Sequence, residues 1–186
     1  MENKPSISPL AAFALADADT PLARIALAGQ FQNRNLNPNT RWAIADAIGK
    51  LDATWVRDHV IRSPQGTIDV TDDSHLCYLI GKTGLAEPGS VERKYLDWCF
   101  VSGNSGLQAR ALRAAAHLGD ESIRPLCEAI VLRDWAFVRS LGIVKLNANP
   151  DDNDYQRLCF AAVEALRTVG NANSIAALRE GRRTMA

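Results

Sequence analysis

The sequence predicts an all-α fold, a short right-handed α-solenoid of about five to six antiparallel helical hairpins. The main observation is a repeated turn: residues 118–126 (Leu-Gly-Asp-Glu-Ser-Ile-Arg-Pro-Leu) return in a looser form at residues 169–178. In both copies an amphipathic run ends at Gly, a short polar residue follows, and a new apolar period begins at Ile. Turns near residues 18, 52, 84 and 119 follow one another at intervals of 32 to 35 residues, a period typical of stacked helix pairs.

Length and composition favour a single domain. A chain of 186 residues with 47% hydrophobic content can bury a continuous core, so one solenoid domain is predicted over residues 1–186. Two polar segments, 62–73 and 147–154, are predicted as loops that interrupt the array. Lys plus Arg equals Asp plus Glu at 21 each, so no overall field attracts a polyanion or an anionic membrane. Net charge therefore identifies no partner.

The first two hairpins are predicted from short polar and proline residues that begin helices. The cap and turn residues assigned to them are Thr20, Pro21, Asn39, Thr40 and Asp52. The four helices that follow from these assignments cover residues 9–16, 20–31, 39–51 and 52–60. Each carries apolar side chains at helical spacing.

The helical period returns after residue 73. The remaining helices are predicted over residues 74–82, 91–99, 107–118, 123–131, 135–146, 155–169 and 174–182. Pro125 must fall in the first turn of its helix, because deeper inside it would remove a backbone hydrogen bond. The stretch 81–84 (Gly-Lys-Thr-Gly) is interpreted as an accidental likeness to a phosphate loop, since no strand precedes it.

Two segments carry a family resemblance. Residues 134–146 (Asp-Trp-Ala-Phe-Val-Arg-Ser-Leu-Gly-Ile-Val-Lys-Leu) and the hairpin over 157–178 resemble the HEAT repeat, an armadillo-type helical repeat. The resemblance covers roughly residues 105–182 and extends loosely to 8–62. It implies a ladder of Asp and Arg between repeats, which Asp134 and Arg139 match by position. It also implies a solenoid that binds other molecules.

The residue types that commonly act as catalytic groups or metal ligands are scattered along the sequence. Cys77, Cys99, Cys127 and Cys159 each lie in an apolar run without a CxxC pair, so they are predicted to be small core residues rather than metal ligands. The three histidines lack the spacing of a metal-binding helix. No signal peptide and no membrane-spanning apolar segment is recognised, which favours a cytoplasmic protein. No catalytic, cofactor-binding or metal-binding residue is predicted.

The function expected from the resemblance is that of a non-enzymatic protein-binding scaffold or adaptor. Its partner is expected to contact an inner surface formed by the second helix of each hairpin. The side chains assigned to that surface are Arg57, Asp58, Glu92, Arg93, Trp98, Arg124, Glu128 and Arg179. The identity of the partner and the oligomeric state are left open.

Two alternatives come from other functional classes. Some HEAT-like proteins are alkylpurine glycosylases, and Trp135 beside Asp134 supplies the residue types that such an enzyme or DNA-binding protein uses. A net charge of zero argues against binding to duplex DNA. The other alternative is a subunit of a larger helical assembly, joined through an uncapped end of the array.

Overall fold

The regular structure of the chain is helical. The computed structural model describes residues 7–63, 66, 68, 74–141 and 152–184, and these residues contain helices without any strand. The α-helices are α1 (Pro9–Ala18), α2 (Pro21–Phe31), α3 (Pro38–Ile48), α4 (Ala53–Val56), α5 (Ser74–Thr83), α6 (Val91–Val101), α7 (Ser105–His117), α8 (Arg124–Val131), α9 (Trp135–Ser140), α10 (Asp152–Val169) and α11 (Ala172–Thr184). A π-helical turn, Arg57–Ile61, continues α4, and a 3-10 turn, Glu121–Ile123, leads into α8. The prediction of an all-α fold is confirmed for the described residues.

Short polar side chains begin several of these helices, as the turn chemistry predicts. Ser8, Thr20 and Asn37 each accept a hydrogen bond from a backbone N–H and are followed by a proline that opens the helix. The assignment of Asn39 and Thr40 as caps of α3 is wrong, because both residues already lie inside the helix. The proline after Asn37 fixes the helical backbone angle earlier than the sequence analysis placed it.

The helices form two compact units, Met1–Asp69 and Val70–Ala186. In the first unit α1 packs against α2 and α3, and α2 packs against α3 and the π-helical turn. The large side chains of its core are Leu27, Phe31, Ile44, Ile48 and Val56. The prediction of one continuous solenoid domain stays a prediction.

The second unit is built around α7 and α8. α7 packs against α5, α6 and α10, and α8 packs against α9, α10 and α11. The large, fully buried apolar side chains of this core are Leu79, Ile80, Leu96, Leu112, Leu126, Ile130 and Leu158. Burial of one such side chain contributes about 1.5–3 kcal/mol, so each helix depends on its neighbours to cover its apolar face.

One glycine sets the distance between α5 and α7. A Cβ atom on Gly81 would lie 2.9 Å from the Cα atom of Ala114, so only glycine allows this close approach. Gly84 has a φ angle of +69°, the left-handed conformation that commonly ends a helix. The stretch 81–84 is therefore the end of α5 and its cap, without the strand-to-helix context of a phosphate loop.

The predicted loops are described only in part. Positions 62, 63, 66 and 68 lie outside the helices, and the rest of the 62–73 loop lies outside the described residues. α10 begins at Asp152, so the end of the predicted 147–154 loop is helical, and the remainder lies outside the described residues. Carboxylates are favourable in the first turn of a helix, which explains why α10 can begin within this acidic run. α9 ends at Ser140, and residues 142–146 of the longer predicted helix lie outside the described residues.

Candidate anion-binding groove

An arginine near the start of α6 contacts the turn that precedes α8. The guanidinium of Arg93 donates a hydrogen bond to the carboxylate of Asp120 at 2.5 Å and to Asp97 at 3.1 Å. Asp120 also accepts hydrogen bonds from the backbone N–H and the hydroxyl of Ser122. Burial raises the pKa of the Asp120 carboxyl, but the hydrogen bonds from Ser122 and Arg93 outweigh it and lower the pKa below its ordinary value. The turn is thus held by a charged contact from the preceding helix pair.

A second arginine makes the equivalent contact one helix pair later. Arg124 of α8 donates a hydrogen bond to the carbonyl of Val169 at 2.7 Å, where α10 ends. It also pairs with Glu121 at 2.6 Å. Glu128, one turn further along α8, accepts a hydrogen bond from the hydroxyl of Ser174 on α11 at 2.6 Å. Two side chains predicted to face a partner therefore bind the end of α10 and the start of α11 in their own chain.

The first unit contains a third contact of this kind. The guanidinium of Arg24 on α2 lies over the Trp55 ring of α4, 5.4 Å from its centroid. The pKa of Arg24 is raised, first by its hydrogen bond to Asp19 and also by the charge of Asp52, which caps α4. Arg24, Arg93 and Arg124 are named here the ladder arginines. Arg24 extends from α2 to α4, Arg93 from α6 to the turn before α8, and Arg124 from α8 to the end of α10.

The other predicted partner residues have mixed environments. Glu92 is fully buried, so its assignment to an outward surface is wrong: the first turn of α6 places it on the core side of the helix. Trp98 is half-buried and stacks on Tyr95 with ring centroids 5.9 Å apart. Arg57 and Asp58 form an ion pair with each other at 2.8 Å on the π-helical turn. Arg179 of α11 is exposed, as expected.

The residues matched to the HEAT ladder and to a glycosylase have local roles. Asp134 caps α9 by accepting a hydrogen bond from the backbone N–H of Phe137, and Arg139 is exposed. Trp135 packs edge-on against Tyr155 with centroids 5.7 Å apart. The polar contacts between separate helices are therefore made by the ladder arginines, and not by the two residues that match the HEAT ladder.

A cleft of about 550 Å³ lies beside one of these contacts. Its charged lining consists of Arg93, Asp97 and Asp120. Because the guanidinium is paired with both carboxylates, its charge is compensated within the chain. This cleft presents no excess of positive charge to a ligand.

A second groove has a different electrostatic character. It has a volume of about 420 Å³ and is formed by α5, α7 and α10. Its polar lining comprises Tyr78, Arg110, Arg113, His117, Glu164, Arg167 and Thr168, and three alanines form the rest. Three guanidinium groups thus face one carboxylate in this groove. Although the whole chain has no net charge, this groove therefore has a local excess of positively charged side chains.

The arginines of this groove are close enough to influence one another. Burial lowers the pKa of Arg110, and the charge of Arg113 lowers it further against the attraction of Glu164. Arg113 forms an ion pair with Glu164 across α7 and α10. Nearby, the Lys82 amino group lies over the ring of Tyr78, 5.6 Å from its centroid. A negatively charged group would relieve the repulsion between the guanidinium groups.

The sequence does not predict this groove, although part of its signal is visible in the chain. Arg110, Arg113 and His117 recur at i, i+3 and i+7 on α7, and Glu164 and Arg167 are three residues apart on α10. These two polar faces become one site only because α7 packs on α10. That long-range pairing has no local sequence signature.

The described residues contain neither a metal site nor a membrane-spanning helix. Among the described residues, no group of His, Cys, Asp and Glu side chains has the arrangement of a metal site. In the same ranges, no helix combines the length and the apolar character needed to cross a membrane. No family model, curated protein or solved structure matches the chain. The class defined by the fold and the groove is therefore an all-helical protein with a concentrated basic surface.

Proposed function

We propose that this chain is a non-enzymatic protein-binding scaffold of the α-solenoid type, and that its groove receives an acidic segment of a protein partner. The observation that carries the proposal is the convergence of Arg110, Arg113 and Arg167 on one open groove. Guanidinium groups bind carboxylates through two parallel hydrogen bonds, and they do so more strongly in a partly desolvated site. A volume of about 420 Å³ accommodates a few side chains of a bound segment.

The packing of the helices supports the solenoid part of the proposal. In the second unit α5 packs on α7 and α7 on α10, which are the first helices of successive pairs, while α6 packs on α7 and α8 on α10. In the first unit α1 and α2 both pack on α3. Contacts between neighbouring helix pairs are typical of repeat proteins. The ladder arginines add polar contacts, each made to a helix or turn further along the chain. This arrangement favours the HEAT-like interpretation within each unit.

The proposed binding surface differs from the one expected from the sequence. The second helices carry Arg93, Arg124 and Glu128, which already contact other parts of the chain. The groove instead lies on the row of first helices, where charge is less completely compensated. We therefore place the partner segment on α5, α7 and α10.

The proposal is tested by fluorescence anisotropy of the full chain with a labelled oligoglutamate peptide. Replacement of Arg110 or Arg167 with Gln removes one charge each, and we expect each change to weaken binding about tenfold, or about 1.4 kcal/mol. Arg179→Gln is the matched control, because this exposed arginine of α11 does not line the groove. Glu164→Gln removes the one carboxylate of the groove and should strengthen binding.

Two outcomes would contradict the proposal. Equal affinity of the Arg110→Gln, Arg167→Gln and control variants would exclude the groove as the binding surface. Stronger, salt-dependent binding of duplex DNA than of the acidic peptide would favour the nucleic-acid alternative instead.

A further inference from the structure

Two of the buried cysteines lie in contact. The Sγ atoms of Cys77 on α5 and Cys99 on α6 are 3.5 Å apart, although 22 positions separate them in the chain. Both side chains are fully buried and in the thiol form. The sequence predicts core cysteines, and their burial is confirmed, but the pairing follows only from the packing of the two helices.

The geometry and the surroundings of this pair favour oxidation to a disulfide. A disulfide requires the two sulfur atoms to approach from 3.5 Å to about 2.05 Å, so a shift of about 1.5 Å, shared between α5 and α6, brings them within bonding distance. Arg110 lies close enough to Cys77 for the two groups to interact electrostatically.

Cys127 is buried as well, but it does not belong to this pair. Burial raises the pKa of the Cys127 thiol to about 12, and the charge of Glu128 adds to the effect. Disulfide formation is expected to select Cys77 and Cys99, because their sulfur atoms already lie in contact.

We propose that Cys77 and Cys99 form a reversible disulfide when the protein encounters hydrogen peroxide. The Cys77 thiolate attacks the O–O bond, which breaks to give a sulfenic acid and hydroxide, and the hydroxide takes a proton to become water. The sulfur of Cys99 then attacks the sulfenic sulfur, the S–S bond forms, and a second water leaves with the remaining protons. Both thiols are oxidised, the peroxide is reduced, and a dithiol reductant reverses the change. This proposal does not depend on the proposed function.

The test is peroxide treatment of the full native chain, followed by thiol titration in denaturant and peptide mapping by mass spectrometry. The chain has four cysteines, and we expect the titrated thiols to fall by half, with one linkage joining Cys77 to Cys99. Cys99→Ala should lose the linkage and yield a dimedone adduct on Cys77, whereas Cys127→Ala should keep the linkage. The two methionines of the chain report the extent of oxidation.

The wild-type protein alone can overturn the proposal. Survival of all thiols at a peroxide dose that oxidises the methionines would exclude the disulfide. A linkage that maps to Cys127 or Cys159 would exclude the assigned pair.

Discussion

Arg93 on α6 donates a 2.5 Å hydrogen bond to the carboxylate of Asp120, in the turn that precedes α8. Their side chains are 26% and 15% exposed, so the pair is shielded from solvent more than an ordinary surface ion pair. Arg124 repeats the relationship with the carbonyl of Val169. Polar contacts made by α6 and α8 therefore complement the apolar core of the second unit.

The energetic coupling of this pair is measurable by a double-mutant cycle. Arg93→Ala and Asp120→Ala should each lower the free energy of unfolding, with a coupling energy of about 1 kcal/mol between them. Asp120→Ala should have the larger effect, because the carboxylate also accepts the hydrogen bonds from Ser122. Urea unfolding followed by circular dichroism provides the free energies. Strictly additive effects would show that the contact contributes no stability.

The same pair predicts an acid sensitivity. The folded-state pKa of Asp120 is lowered because hydrogen bonds from Ser122 and Arg93 outweigh the effect of burial. The associated stability is complete above the ordinary carboxyl value of 3.8 and is lost as the pH falls through the lower folded value. Asp120→Asn should thus be less stable than the wild type at neutral pH, with a difference that shrinks in acid. A difference independent of pH would contradict this assignment.

Two glycine substitutions should act in opposite directions. Gly81→Ala places a Cβ atom against the backbone of Ala114 and should destabilise the protein by about 1–3 kcal/mol, because α5 and α7 must separate. Gly29→Ala, on the exposed side of α2, meets nothing within 4 Å and should stabilise it by about 0.5–1 kcal/mol. Thermal melts of both variants test the prediction. An equal shift for both would refute the close contact.

The core of the second unit depends on Leu112. This side chain is fully buried, so Leu112→Ala should cost about 2–5 kcal/mol, and Leu112→Asp should abolish cooperative folding. Leu22→Ala is the matched control, because Leu22 is 80% exposed and its truncation should change stability by less than about 0.5 kcal/mol. Denaturant titration distinguishes the variants. A wild-type transition for Leu112→Asp would exclude the described packing.

The thiol of Cys127 should be inert in the folded protein. Its pKa of about 12, raised by burial, leaves it protonated at neutral pH. A thiol reagent should therefore label it only after denaturation, at a rate that follows unfolding. Mass spectrometry of native protein after labelling checks this. Rapid native labelling of Cys127 would show that the site opens readily.

The helices were largely predictable because their signals are local. The cap Thr20, the turn at Asp52 and the position of Pro125 in the first turn of α8 all follow from residues close in sequence. The error at α3 arose because several cap-forming residues are adjacent there, so local chemistry did not single out Asn37. The π-helical turn was not predicted, because its pattern of apolar residues resembles that of an ordinary helix.

The candidate sites were less predictable because they depend on distant pairings. Arg113 meets Glu164 from a helix about fifty residues away, and Cys77 meets Cys99 across α5 and α6. Periodicity shows which face of a helix is polar, but not which other helix that face meets. For the same reason Arg124 was assigned to a partner surface, although it binds the carbonyl of Val169.

The direction of the contacts made by Arg124 and Glu128 gives the final helix pair a protective role. Arg124 extends from α8 to the last residue of α10, and Glu128 extends from α8 to the first turn of α11. Removal of α10 and α11 by truncation would therefore expose the charged groups of Arg124 and Glu128 together with the apolar face of α8. Such a truncated protein should aggregate, because α8 has lost the cover that α10 and α11 supply.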